Sequence, residues 1–285
     1  MPINYLKKIQ LGEFNEFDYR INPPKEVESV IEGFYVFSRD PKQDTHLIFN
    51  DGFPVLVFLQ NCDDTVAVTG EKDTLEIKAV WASAGSIKNV YLKYNNNTNQ
   101  VFIVRFYPGA FYQLFSLDAQ YFRNHPVTPF ENIAKDNNFS IESFFNCNSI
   151  QEKADFVGTY VQNYFTVIDT PKIFHKTLDY IHRIKGQSTV RNVTDDAGVN
   201  YKWLERSFIK NIGMLPKEYI QLQRFIYAYL ELVGNEDVDL MRIAISNGYY
   251  DSNHFLKDFK SYTGKTPLGY LKFQSAFDHY QISCD

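Results

Sequence analysis

Two short stretches of this chain each gather polar side chains suited to hydrogen-bonding a base edge. One carries Tyr201, Lys202, Glu205 and Arg206, the other Ser252, Asn253 and Lys257. Each group faces away from a pair of apolar residues, Leu204 with Phe208 and Phe255 with Phe259. Arg and Lys can donate to guanine O6 and N7, Asn can bridge adenine N6 and N7, and Glu can accept from cytosine N4. Lys210, Lys217, Lys260 and Lys265 stand near the ends of the same segments. They are candidate phosphate partners or ordinary solvated surface. His254 reads as a packing or phosphate-contacting residue rather than a catalyst.

Other chemistries find little support. Only His46 and His125 precede residue 171, and neither belongs to a close His/Glu cluster. A metal site needs several imidazole and carboxylate ligands converging, so none is expected. No G-x-S-x-G nucleophile elbow and no phosphate-binding P-loop occurs. Cys147 lacks the basic and histidine neighbours that would lower a thiol pKa. Cys62, Cys147 and Cys284 are far apart and odd in number, which fits reduced thiols in a cytoplasmic protein. No enzymatic activity and no cofactor is expected.

The elements that must position the two polar groups are legible as a repeat. Leu204, Phe208, Gly213, Pro216 and Tyr219 match in type Phe255, Phe259, Gly264, Pro267 and Tyr270, each partner lying 51 residues on. An apolar residue at i and Phe at i+4 make the buried side of a helix. The Gly suits a left-handed cap, and the Pro suits the first turn of the next helix. A shorter helix precedes each unit. Val190 and Val193 belong to the first, which Gly198 ends before Asn200 caps the next. Leu240, Ile243 and Ala244 belong to the second, with Asp239 as cap, Gly248 as stop, and Asp251 or Ser252 as the following cap. Two short helices joined by a tight turn containing Gly form a helix-turn-helix, whose second helix enters the DNA major groove. A helix from about residue 217 to 233 joins the units as a rigid spacer.

Residues from about 172 to 273 resemble the DNA-binding domain of AraC/XylS-type transcription regulators. The resemblance rests on the turn at 197–200 (AGVN), LERSF (204–208), Gly213-x2-Pro216-x2-Tyr219 and Ile243-Ala244-x3-Gly248-Tyr249. It continues through Asp251-Ser252-x-His254-Phe255-x3-Phe259-Lys260 to TGKTPLGY (263–270). It implies two helix-turn-helix units bridged by a long helix in a promoter-binding regulator, often an activator. Its main base contacts fall on Lys202, Arg206, Ser252, Asn253 and Lys257. Thr194 stands where the family usually has Ala, which implies looser packing in the first unit. Asp195, Asp196 and Glu205 bring acid near its groove-facing helix, so weaker base reading by that unit is expected. The segment VRFYPGAFYQLF (104–115) is similar to the sensor domain of some bacterial members, which resembles cupin-like barrels.

The 285 residues carry a formal charge of −5. Residues 1–170 hold 14 Lys and Arg against 21 Asp and Glu, a net of −7, and the remainder nets +2. This asymmetry points to nucleic acid at the back of the chain. Hydrophobic residues make up 44%, enough for real cores, and no 18-residue apolar run is present, so no membrane partner is expected. The first residues do not read as a secretory signal. Short runs rich in Val, Ile, Phe and Tyr occupy 30–37, 46–50, 54–59, 65–70, 74–81, 89–94 and 100–107, with turns at 50–52 and 94–100. They predict a sandwich or barrel. Phe111, Leu114 and Phe115 then turn helical, and Phe156, Tyr160, Tyr164 and Phe165 form a helical stripe. Thr170 as cap and Pro171 at the first helical position mark a new helix. The expected class is α+β, with a β-rich, cupin-like regulatory domain and trailing helices over 1–165 and an all-α DNA-binding domain over 172–275. The expected partners are double-stranded DNA, the transcription machinery, a small-molecule effector and a second copy of the chain. Trp81 is a candidate for an aromatic effector pocket. Two alternatives stand beside this: a barrel enzyme or storage protein with a vestigial DNA-binding tail, and a protein-interaction adaptor.

Overall fold

The structure is a computed structural model that describes residues 1–39, 45–71, 73–95, 98–134, 138–164, 170–235 and 238–279. Phe165 of the expected stripe and Cys284 lie outside them, as do side chains beyond residue 273 in the last helix. A helix, α1 (Ile3–Leu11), opens the chain. Ten strands follow among the described residues: β1 (Tyr19–Ile21), β2 (Ile31–Ser38), β3 (Thr45–Leu47), β4 (Val55–Phe58), β5 (Thr65–Thr69), β6 (Thr74–Lys78), β7 (Val80–Ser83), β8 (Tyr91–Tyr94), β9 (Gln100–Phe106) and β10 (Val127–Pro129). They build two antiparallel sheets, one of order β1-β2-β9-β4-β7-β10 and one of order β3-β8-β5-β6.

Side-chain alternation explains the near-continuous apolar runs. In the large sheet Tyr35, Phe37, Val55, Val57, Trp81, Val101 and Ile103 face the small sheet, whose Val66, Val68, Leu92 and Tyr94 share their core. Phe34, Val36, Leu56, Phe58, Phe102 and Val104 point to the other face. There they meet α2 (Ala110–Leu114), α3 (Tyr121–Asn124), α4 (Ile141–Phe145) and α5 (Ile150–Tyr164), through Phe111, Phe122, Phe144, Val157 and Val161. A sheet covered on both faces cannot show a polar face in its sequence. Trp81, the candidate for an effector pocket, is fully buried in the layer between the sheets, within the core that the two sheets share.

Four expectations need correction. The run 74–81 is two strands in different sheets: β6 pairs with β5 and β7 with β4, and the chain turns between them at Ala79, whose φ is 59°. Tyr164 is exposed, and the buried side of α5 runs through Ala154, Val157, Tyr160 and Val161. Pro171 occupies the cap position of α6 (Lys172–Arg183), not its first turn, and no side chain caps that helix. The Thr170 hydroxyl accepts instead from Gln113 at 3.4 Å. Finally, α1, β1 and β10 were not anticipated.

Six further helices follow among the described residues: α7 (Val190–Ala197), α8 (Tyr201–Ile212), α9 (Pro216–Gly234), α10 (Leu240–Ser246), α11 (Ser252–Thr263) and α12 (Pro267–His279). None of the described helices is long and apolar enough to cross a membrane. Their core is continuous with that between the sheets. Phe49 packs its ring on Phe225 and Tyr262 at centroid distances of 5.3 and 5.6 Å.

The loop after Phe49 carries a buried charge. The Asp51 carboxylate, 1% exposed, pairs at 2.5 Å with the Arg105 guanidinium, itself 5% exposed. Arg105 reaches Glu32 at 3.0 Å with another nitrogen. Burial works against the Arg105 charge, and Asp51 and Glu32 more than restore it. Gln10 of α1 donates to the Asp51 carboxylate at 2.9 Å, and Gln223 of α9 donates to the Asp51 carbonyl at 2.6 Å. Gly52 lies so close to the Tyr219 ring that a Cβ would come within 2.3 Å of it. Phe53 stacks between Arg105 and His182, and His182 Nε2 meets the Tyr219 hydroxyl at 2.6 Å.

Removing one partner of a buried pair leaves the other charge uncompensated. Asp51→Ala is therefore expected to destabilise the protein by about 3 kcal/mol, read as a lower urea midpoint. Replacing both groups, Asp51→Leu with Arg105→Met, is expected to cost less than the single change. An unchanged midpoint for Asp51→Ala contradicts this account.

Burial pushes the His182 imidazole below its usual range, with Arg105 adding to the effect and Asp51 and Asp179 opposing it. The folded state thus favours the neutral ring, while the unfolded chain protonates near pH 6.5. That preference supports the fold fully above about pH 6.5 and is lost as pH falls toward the lowered folded value. Urea midpoints measured between pH 7 and 5 are expected to fall less steeply in His182→Gln than in the unaltered protein. Parallel slopes would contradict it.

Candidate nucleic-acid interface

Each helix of the two repeat units starts on a side chain that satisfies its first free N–H groups. Thr189 Oγ1 accepts from Asn192 N at 3.2 Å and opens α7. Asn200 Oδ1 accepts from Trp203 N at 2.9 Å and opens α8. Asp239 Oδ1 accepts from Met241 and Arg242 N, both at 3.0 Å, for α10. Asp251 Oδ1 accepts from His254 N at 2.7 Å for α11, settling the choice between Asp251 and Ser252. Gly198, Gly213 and Gly264 sit as left-handed caps after α7, α8 and α11.

Leu204 and Phe208 of α8 and Phe255 and Phe259 of α11 are fully buried. Their opposite faces carry the polar groups. Tyr201, Lys202, Arg206 and Lys210 are exposed on α8, with Glu205 half-buried. Asn253, Lys257 and Lys260 are exposed on α11, with Ser252 half-buried. Tyr201, Lys202, Arg206 and Lys210 line, with Pro171, an open groove of about 830 Å³. Each unit thus presents one outward polar face at the same place in its frame.

Several side chains stand differently from expectation. Lys265, a candidate phosphate partner or surface residue, sets its ammonium over the rings of Tyr91 and Phe273, at 5.7 and 4.6 Å. His254, expected to pack or to touch phosphate, sets its ring edge-on to Tyr249 at 5.2 Å. Thr194 does not disturb the first unit, because its hydroxyl donates to the Arg191 carbonyl at 2.7 Å while Val193 fills the core. Asp195 is near Arg191 at 3.9 Å, both groups exposed, so part of the local acid is answered. Among the described residues no three His, Cys, Asp or Glu side chains converge.

The residues that tie the two units together escaped the sequence analysis. Arg224 of α9 donates to the Gly186 carbonyl at 3.1 and 3.2 Å and to that of Ser188 at 3.3 Å, and its guanidinium lies 5.6 Å from the Tyr249 ring centre. Gln187 donates to the Ser246 carbonyl at 2.9 Å. These positions fall outside the repeat, so periodicity could not signal them. Tyr250, in the turn before α11, is 89% exposed and was likewise not singled out.

Residues 193–272 match a family model described as a helix-turn-helix domain. Residues 19–128 match a model described as a domain of unknown function, DUF6597. No curated protein matches the chain. Among solved structures, ToxT from Vibrio cholerae is similar with a TM-score of 0.45 and 15% identity, over 84% of this chain and 98% of that one. ToxT bound to (E)-4-(8-methylnaphthalen-1-yl)but-3-enoic acid gives 0.44 and 16%, over 84% and 97%. The AraC-like transcriptional activator CuxR gives 0.20 and 16%, over 70% and 74%.

Loss of a helix cap typically costs about 1 kcal/mol. Asn200→Ala and Asp251→Ala are each expected to lower stability by that amount, while Ser252→Ala, at the position beside the cap, is expected to change it little. Urea unfolding of the three variants checks the assignment. A larger loss for Ser252→Ala than for Asp251→Ala would reverse it.

Proposed function

We propose that the chain is a DNA-binding transcription regulator of the AraC type and that its α8 and α11 read bases in successive major-groove turns of a promoter, a reading that the helix-turn-helix match over residues 193–272 supports. One observation carries this: two helices in the same 51-residue frame, each capped and buried on one side, each exposing a polar face that matches base edges. Arg206 and Lys202 of α8 and Asn253 and Lys257 of α11 are the base-reading side chains, with Tyr201, Glu205 and Ser252 beside them. Lys210 and Lys260 approach phosphates. Two reading helices in one chain dock about one DNA turn apart, roughly 34–36 Å.

The effector belongs to the same proposal. A cleft of about 780 Å³ runs between the β1–β2 region and α6. Arg20, Lys25, Glu28, Glu32 and Tyr107 line one side and His175 of α6 the other. An occupant would touch both parts of the chain. Its charged lining favours a polar small molecule over an apolar one.

The test is a binding series on duplexes selected from random DNA by the full chain, with single-base variants at several salt concentrations. Six to ten phosphate contacts would lower affinity by roughly 10³–10⁵-fold between 50 and 200 mM salt. Arg206→Ala and Asn253→Ala are each expected to lose about 1–3 kcal/mol and to relax preference at one local position. Lys260→Ala is expected to weaken all sequences alike and reduce the salt slope by about one unit. Unchanged base preferences in both of the first two variants would refute the assignment of the reading faces.

A further inference from the structure

The two repeat units end alike, and both ends are held by the N-terminal part. Ile212 and Thr263 are the last residues of α8 and α11 and lie 51 residues apart, in register with the repeat. The carbonyl of Ile212 accepts from the Tyr112 hydroxyl at 3.1 Å. That of Thr263 accepts from the Tyr91 hydroxyl at 2.5 Å. A helix end leaves carbonyls without partners at the negative pole of its dipole, so a hydroxyl donor is well placed there. Burial holds both phenols protonated, Tyr91 pushed up to about 12.

The next residues are also paired in the repeat and pressed against the N-terminal part. Gly213 and Gly264 have φ of 77° and 71°. A Cβ on Gly213 would fall 2.4 Å from the Ala119 carbonyl oxygen, and one on Gly264 would fall 2.1 Å from Asn89 Oδ1. The Asn89 N–H donates across the same boundary to the Tyr262 carbonyl at 2.8 Å.

The two tyrosines come from different layers. Tyr91 belongs to β8 in the small sheet, and Tyr112 to α2, behind the large sheet. Phe111, next to Tyr112, packs edge-on to Phe106 of β9. The sandwich is thus a solid bridge between two helix ends. We infer that Tyr91 and Tyr112 are positioning residues that fix the separation and relative tilt of α8 and α11, so that the N-terminal part sets the half-site spacing the protein accepts on DNA. This rests on the reading of α8 and α11 as the base-contacting helices.

The test uses the full chain with Tyr91→Phe, Tyr112→Phe and both, which keep the rings and remove only the hydroxyls. One readout needs no DNA: hydrogen exchange of the Asn89 amide, which reports release of the α11 end. Tyr91→Phe is expected to speed it about five-fold, the loss of one hydrogen bond. The other readout compares the selected duplex with the same duplex carrying one base pair inserted between the half-sites. In the double variant the affinity lost on insertion is expected to shrink about ten-fold, while binding to a single half-site is unchanged. A merely structural role would weaken both duplexes alike. Unchanged Asn89 exchange in Tyr91→Phe, or an unchanged insertion penalty in the double variant, overturns the inference. If the protein selects no duplex, the reading of α8 and α11 falls, and exchange at Asn89 still decides whether the clamp exists.

Discussion

A buried charge organises this molecule. Asp51 and Arg105 form an ion pair that solvent scarcely reaches, and desolvating two such groups is costly unless further polar contacts offset it. Glu32 on β2 supports the Arg105 charge and Gln10 on α1 the Asp51 carboxylate, while Arg105 Nε is buried without a hydrogen-bond partner among the described residues. Gln223 on α9 holds the Asp51 backbone carbonyl, so the loop that carries the pair is tied to the sheets, the opening helix and the spacer helix together. Phe53, His182 and Tyr219 close the site against water through stacked rings and a short hydrogen bond. Tyr219 is also the last residue of the first repeat frame. The polar lock between the two parts of the chain is thus built into the unit that carries α8.

From that lock the rest follows by geometry. The spacer α9 has its N-terminal half pinned to the Asp51 loop and its middle pinned by Phe225 against Phe49 and Tyr262. Arg224, between those two points, gathers the start of the first unit and the Tyr249 ring of the second. Arg224 of α9 thus holds the start of the first unit and the middle of the second, and Tyr112 and Tyr91 hold the ends of α8 and α11. The polar faces of α8 and α11 stay exposed. Rigid support behind an exposed polar face is what sequence reading requires, because base discrimination depends on placing donors to within a fraction of an ångström.

Much of the C-terminal fold was legible because its signals are local. A capping side chain, an apolar pair at i and i+4 and a left-handed glycine all lie within one turn of the element they define. Asn200, Gly213, Asp239 and Pro216 each do what their types imply. The strands were legible as strands, since β-branched and aromatic runs between turns have few other uses. Their assignment to sheets was not, because partners are chosen by tertiary packing. The passage from β6 to β7 turns on Ala79, a residue with no turn preference of its own. Helix α1 was missed because its meaning lies in Tyr5 and Leu6, buried against the sheets, and not in any strong local motif. The two exposed polar faces of α8 and α11 could be placed from the repeat. The contacts that hold them could not, since Tyr91, Tyr112, Asn89 and Arg224 work across distances in sequence that no periodicity spans.

In the proposed docking, two helices of one chain lie on one face of DNA at a fixed separation. Hydroxyl-radical footprinting of the full chain on a duplex it has selected reads that separation. Two protected windows are expected on the same face of the duplex, their centres about 10–10.5 base pairs apart. A single window, or two whose separation varies from one selected duplex to the next, would contradict it.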